Sequence, residues 1–319
     1  MKKFINDPDN VLRETTEGLV AAYHGMVKQV EGYDGIVKVY IPEGKVALVV
    51  GGGSGHEPLF PGYVGENLAD AAATGAFFTS PTPDLILETT KAAQRGNGVL
   101  YVYGNYAGDN LNFDMAAEMS EVEGIRTRTI RVWDDVLSAP LERIEDRRGI
   151  SGDIFVMKIA GGAAAELDSL DEVYRVAEKA RDHTRSIGVA SAPGSNPING
   201  RPFFEIGEDE FELGMGVHGE VGVSREKMVP ADKLVERMIK GIVQDLPFVA
   251  GDEVCLLINS LGSTTYTEML IINRKVRQLL AEMAIDVYDT LIGYFCGSQE
   301  MAGFSITLMK LDDEIKSYY

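Results

Sequence analysis

The sequence predicts an α/β protein with a mainly parallel sheet, followed by a second, smaller α/β unit. Three observations carry this. Short apolar runs rich in β-branched residues alternate with stretches of helical length, the pattern of parallel strands joined by crossover helices. The chain has 319 residues, 45% of them hydrophobic, which is more than one typical domain holds. A turn-rich stretch, PGSNPINGRP at 193–202, separates two patterned regions, so we place an N-terminal unit over 1–188 and a C-terminal unit over 189–319.

The elements follow in order. Residues 9–30 put Leu12, Leu19, Tyr23, Met26 and Val30 on one stripe, with Asp7 and Asp9 near its start, and read as one helix. KVALVV (45–50), running into glycines, reads as a buried strand. Thr82 and Pro83 form a cap and first-turn proline for a helix that Gly96-Asn97-Gly98 ends. GVLYVY (98–103) is the next strand, DNLNFDMAAEMSEV the next helix, and RTRTIRV (126–132) alternates as a strand does. DIFVMKIAGGAAAE (153–166) is a helix with small residues for close packing, and Ser169 and Glu172 open the following helix with capping-box spacing. SIGVASA (186–192) is a strand. The second unit holds FELGMGVHGE (211–220), a helix over 231–245, EVCLLINSLG (253–262), a helix over 265–283, IDVYDTLIGYF (285–295) and FSITLMKL (304–311).

Composition narrows the function. The formal charge of -19 argues against nucleic acid as the main partner, because such proteins carry a basic footprint. Cys255 and Cys296 both lie in apolar runs and read as buried, reduced thiols of a cytoplasmic protein. The N-terminus lacks the apolar core of a signal peptide, and no apolar stretch reaches membrane-spanning length, so a secreted or membrane protein is not expected.

GGGSGHEP (51–58) follows a predicted strand, where open α/β sheets bind ligands. It admits three readings: a nucleotide loop, a catalytic loop and a plain turn with a buried histidine. Neither GxxxxGK[ST] nor GxGxxG is present, which weakens the first. Asp109 falls at the start of a helix, where it either caps the helix or joins His56 as an acid/base pair. In FTSPTPD (78–84), Thr79 and Ser80 either line the same crevice or merely enter a helix. His218 sits between small residues in GMGVHGE (214–220), open to a ligand or simply structural; His24 and His183 read as surface residues within helices. Four scattered histidines and two cysteines show no metal-ligand spacing, so no metal site is expected, and GEDEFE (207–212) reads as a solvated face.

Taken in order, GGGSGHEP (51–58), FTSPTPD (78–84), NYAGDNLNFDMA (105–116), RRGISGD (147–153), GMGVHGEVG (214–222), NSLGSTTYTE (259–268) and MAGFSITLMKLDDE (301–314) resemble the substrate-binding K subunit of the dihydroxyacetone kinase family. The resemblance covers nearly the whole chain and implies a three-layer first domain, a smaller second domain and a homodimer. It implies that His218 adds to the carbonyl of a short-chain ketose as a hemiaminal, a reason to select ketoses over polyols. His56 and Asp109 would contact the substrate hydroxyls and help deprotonate the one that attacks phosphorus. Gly52, Gly53, Ser54 and Gly55 would hold the substrate through the loop.

In that family this subunit holds no nucleotide or metal. A separate L subunit carries ADP, recharged by a phosphotransferase protein, or ATP, with magnesium. With no L domain appended, the chain is not expected to phosphorylate anything alone. One departure bears on substrate: dihydroxyacetone-specific members carry a lysine where Gly104 stands. The YGNYAGD form is more like relatives acting on tetruloses such as erythrulose. Family paralogues that sense a ketose and bind a transcriptional regulator supply the alternative, non-catalytic expectation.

Overall fold

A computed structural model describes residues 3–319. Within them, twelve strands form two six-stranded sheets. In the first half the elements are α1 (Val11–Ala22), β1 (Val27–Gln29), β2 (Ile36–Lys38), β3 (Ala47–Ser54), β4 (Ala71–Phe77), α2 (Pro83–Ala93), β5 (Val99–Gly104), α3 (Ala107–Val122), β6 (Thr127–Val132), α4 (Asp153–Glu166) and α5 (Leu170–Asp182). The second half holds β7 (Thr184–Ala192), β8 (Glu210–Leu213), β9 (Ser224–Lys227), α6 (Ala231–Asp245), β10 (Glu253–Ser260), α7 (Tyr266–Glu282), β11 (Asp286–Gly293), β12 (Ala302–Leu311) and α8 (Asp313–Ser317).

The first sheet runs β1-β2-β4-β3-β5-β6. Its β4, β3, β5 and β6 are parallel, with β1 and β2 antiparallel at one edge. The second runs β11-β10-β12-β7-β8-β9, parallel only between β10 and β11. β7 pairs with β12 and β8 of this second sheet, with one bridge from Ser186 to Asp135, and residues 188 and 189 both lie inside β7.

Alternation along each strand divides the core into stacked layers. Ala47, Val49, Tyr101 and Tyr103 face α2 and α3. Leu48, Val50, Leu100 and Val102 point the other way, into a cluster that takes in α4, α5 and, from the second sheet, Cys255, Leu257 and Met309. Leu256, Ile258 and Leu308 face α6 and α7. The α4–α5 layer is therefore shared, and one apolar cluster joins the two halves. Both cysteines are free and buried there.

The cap at Thr82 holds: its hydroxyl accepts from the Leu85 amide ahead of Pro83. α7 opens on a capping box of Thr265 and Glu268 that the spacing had not singled out. The small residues of α4 admit close contacts: a Cβ on Gly161 would stand 2.5 Å from the Asn67 carbonyl oxygen.

Other expectations are corrected. The helix over 9–30 stops at Ala22, because Val27–Gln29 pairs with Ile36–Lys38; Tyr23 and Met26, placed on its apolar stripe, are exposed. Ser169 makes no side-chain cap bond. β4 reads AAATGAF, a composition with little strand propensity, and forms because it is enclosed between β2 and β3. β3 does not stop at the glycines: Gly51, Gly52 and Gly53 pair with Ala73, Thr74 and Gly75.

Candidate active site

The site forms at the carboxyl ends of β3 and β5, where parallel sheets present their loops, and is closed by loops of the second half. β3 ends at Ser54, Gly55 turns at φ 103, and His56 follows. The His56 backbone carbonyl accepts from the Gly297 amide at 3.0 Å. Its ring Nδ1 lies 2.8 Å from the Gly297 carbonyl oxygen. Phe78, held at φ 50 in the left-handed region that bulky residues avoid, stacks its ring on His56 at 4.6 Å and 10°.

His218 comes from the loop between β8 and β9. Its backbone amide and Nδ1 both donate to the Glu220 carboxylate, at 2.9 and 3.0 Å. Its Nε2 stands 2.9 Å from the Nε2 of His56. Hydrogen-bond valence fixes the protons. A carbonyl only accepts, so His56 carries its hydrogen on Nδ1; a carboxylate only accepts, so His218 carries one on Nδ1. The two Nε2 atoms therefore face each other at hydrogen-bond distance, a geometry that a single proton between the rings would satisfy. Burial and then the neighbouring His218 charge hold His56 down at about 3, against the Gly297 carbonyl. His56 is thus held uncharged, with its Nε2 lone pair turned toward the Nε2 of His218. Burial works to raise Glu220, but its bond to His218, the His218 charge and Arg148 outweigh it, and the carboxyl sits at about 2.

Arg148 braces this unit. It donates to the Gly214 carbonyl at 2.8 Å and to Asp135 at 3.1 Å, with its other nitrogen 3.9 Å from Glu220. The Tyr106 ring meets His218 edge-on at 4.8 Å, and Phe78 does so at 4.9 Å.

Asp109 lies in the first turn of α3, whose dipole favours an anion. It is not the cap: Tyr106 holds that position without a side-chain bond. Its Oδ1 is buried with no hydrogen-bond partner. Burial raises the carboxyl to about 6, against the opposing pull of Ser80 and the His218 charge. A carboxylate poised there is suited to take a proton near neutral pH.

One cavity gathers Gly52, Gly53, His56, Gly104, Asp109 and His218, with Tyr106 and Asp153 also in its wall. Ser54 and Gly55 are not in that wall; the Ser54 hydroxyl is buried without a partner. The free space is about 20 Å³, room for one water molecule, so a larger ligand enters only as side chains part. A larger groove of about 600 Å³, lined by Met26, Tyr40 and Glu166 among others, contains neither histidine of the pair. Chemistry, not size, singles out the smaller one.

The glycines have a packing reason of their own. A Cβ on Gly52 would overlap the Phe60 ring, and one on Gly53 would stand 2.7 Å from the Thr79 amide nitrogen. Their backbone pairs with β4 on one side, while the pairing of β3 with β5 stops at Val50. Thr79 bonds the nearby Phe77 carbonyl. His24 is exposed just past α1, and His183 caps the end of α5. Among the described residues, no group of three or more His, Cys, Asp and Glu side chains is placed to hold a metal ion, and no helix is long and apolar enough to cross a membrane.

Sequence reasoning missed Phe78, Tyr106, Arg148, Asp153 and Glu220 as parts of the site. Each lies inside a motif already singled out, but nothing local says that these motifs converge.

A two-sheet α/β protein with a histidine pair, a counter-ion and a near-neutral carboxylate between its halves is the class defined here. The chain belongs to the Dak1 domain family, whose model matches residues 17–319. It is 44% identical over 318 residues to the dihydroxyacetone-binding subunit DhaK of PTS-dependent dihydroxyacetone kinase 2 of Listeria innocua, covering 99% of this chain and 96% of that one. It is 40% identical to the L-erythrulose kinase of Pectobacterium atrosepticum, over 100% of this chain and 55% of that protein. The dihydroxyacetone kinase operon co-activator Dha-DhaQ superposes with a TM-score of 0.89 at 30% identity, over 96% of this chain and 94% of that one.

Proposed function

We propose that this chain is the ketose-binding subunit of a dihydroxyacetone-type kinase, holding its substrate covalently on His218. The observation that carries this is the approach of the His56 and His218 Nε2 atoms to 2.9 Å, with Glu220 behind His218. His56 draws the proton off the His218 Nε2, and the freed lone pair attacks the ketose carbonyl carbon. The N–C bond forms as the C=O π bond breaks, and His56 returns the proton to the oxygen as a hydroxyl. The imidazolium charge stays on His218, opposite Glu220, so no net charge is created in a dry site. Asp109 then accepts the proton of the terminal hydroxyl as its oxygen bonds to the terminal phosphorus of the partner's nucleotide and the bond from that phosphorus to the leaving nucleoside diphosphate breaks. The nucleotide and its magnesium come on an L-type partner subunit, and the working chain is a homodimer.

The test is carbon NMR with dihydroxyacetone labelled at the carbonyl. The expected result is a ketone resonance replaced by a tetrahedral one on the wild-type chain and retained as ketone with His218→Ala. A ketone signal on both sinks the covalent reading. A cognate L subunit with ATP then tests phosphorylation, and comparing dihydroxyacetone with L-erythrulose tests which ketose is preferred.

A second reading is a non-catalytic ketose sensor, favoured by the likeness to the co-activator. The unpartnered oxygen of Asp109 favours catalysis. Ketose bound but never phosphorylated in the presence of the L subunit and ATP would select the sensor.

A further inference from the structure

Asp153 begins α4 and is 2% exposed, yet its Oδ1 has no hydrogen-bond partner. Donors near it are already used: Asp134, close by, takes the amides of Ile150 and Gly152 at 2.8 Å each. Asp153 is not a helix cap, since it accepts from no amide of α4. A carboxyl group buried without partners is costly unless a ligand supplies them. Its other oxygen faces Gly104, where an added Cβ would stand 3.1 Å away, and both residues line the ketose cavity.

Resting on the ketose-kinase reading, we propose that Asp153 is a specificity-determining residue that binds the substrate hydroxyl on the far side of the carbonyl from the one phosphorylated. The substrate class is then a ketone hydroxylated on both sides. Asp109 and Asp153 divide the two hydroxyls, with the carbonyl fixed at His218 between them. Gly104, having no side chain, leaves the Asp153 carboxyl uncovered and gives the ligand chain room to continue past that hydroxyl. Burial, reinforced by Asp134 and Asp109, keeps the Asp153 carboxyl well above the usual carboxylate range. A protonated carboxyl both donates and accepts, which suits a hydroxyl partner.

The test titrates the full chain, as wild type, Asp153→Asn and Asp153→Ala, with dihydroxyacetone, L-erythrulose and hydroxyacetone, which lacks the second hydroxyl. Ligand-free melting temperatures check folding, and Asp153→Asn, equal in shape, is expected to melt no lower than wild type. Asp153→Ala is expected to weaken both dihydroxylated ketoses about 10- to 100-fold, the range for leaving a buried hydroxyl without its partner. Hydroxyacetone binding is expected to be unchanged, with Asp153→Asn intermediate. Equal losses for all three ligands, or no loss for any, overturn the assignment while the ketose reading stands. A wild-type chain that binds none of them overturns the reading and the assignment together.

Discussion

Asp109→Asn is expected to abolish most turnover while making the free protein more stable. The carboxyl is raised from 3.8 to about 6, chiefly by burial, and each step of one in pKa corresponds to about 1.4 kcal/mol. The folded state therefore carries a cost of about 3 kcal/mol when Asp109 is ionised. The sign follows from the direction of the shift. A folded state that binds the proton more tightly than the unfolded chain loses stability as pH rises from 3.8 to about 6, and the full cost persists above that. Asparagine keeps the shape and never ionises. Urea unfolding at pH 8 should show the variant more stable by about 2–3 kcal/mol, the difference shrinking to near zero by pH 4. Phosphorylation of dihydroxyacetone with an L subunit should fall about 10²- to 10⁴-fold, the range for a lost general base. Wild-type activity should rise with pH through about 6. A variant less stable than wild type at pH 8, or one that keeps its activity, would refute the assignment of a desolvated base to this position.

Glu220→Gln removes a carboxylate held at about 2 instead of 4.5, a loss of about 3 kcal/mol. This stability is present above pH 4.5 and fades as pH falls to about 2, so acid titration of the unfolding free energy should bring the two proteins together there. Gly52→Ala drives a methyl into the Phe60 ring; overpacking of this kind costs about 1–3 kcal/mol, read by thermal melting, and ketose affinity should fall with it. Arg147, 1% exposed, makes a two-pronged pair with Asp245 at 2.8 and 2.6 Å. Arg147→Ala leaves the aspartate paired with Arg185 alone and should cost about 1.5–3 kcal/mol in chemical denaturation, the loss of charge-assisted hydrogen bonds with one cation still in place.

The sequence by itself determined what is local. The cap at Thr82, the alternation of β6 and the helices over 231–245 and 265–283 follow from spacing within about a dozen residues, and they survive folding. The motif blocks were equally legible, because residue types in order identify a family without any geometry. Tertiary structure decided the rest. An alanine-rich segment became β4 only because neighbouring strands enclose it, and the end of α1 yielded to the pairing of β1 with β2. His56 and His218 are 162 residues apart, and no periodicity records that their Nε2 atoms meet at 2.9 Å. The same holds for Asp153: its spelling within SGD is unremarkable, and its unsatisfied carboxyl exists only because Asp134 has taken the nearby amides and Gly104 leaves the wall bare. Propensity and capping act through bonds a turn or two apart, whereas desolvation and the meeting of the two imidazoles depend on which distant groups folding brings together.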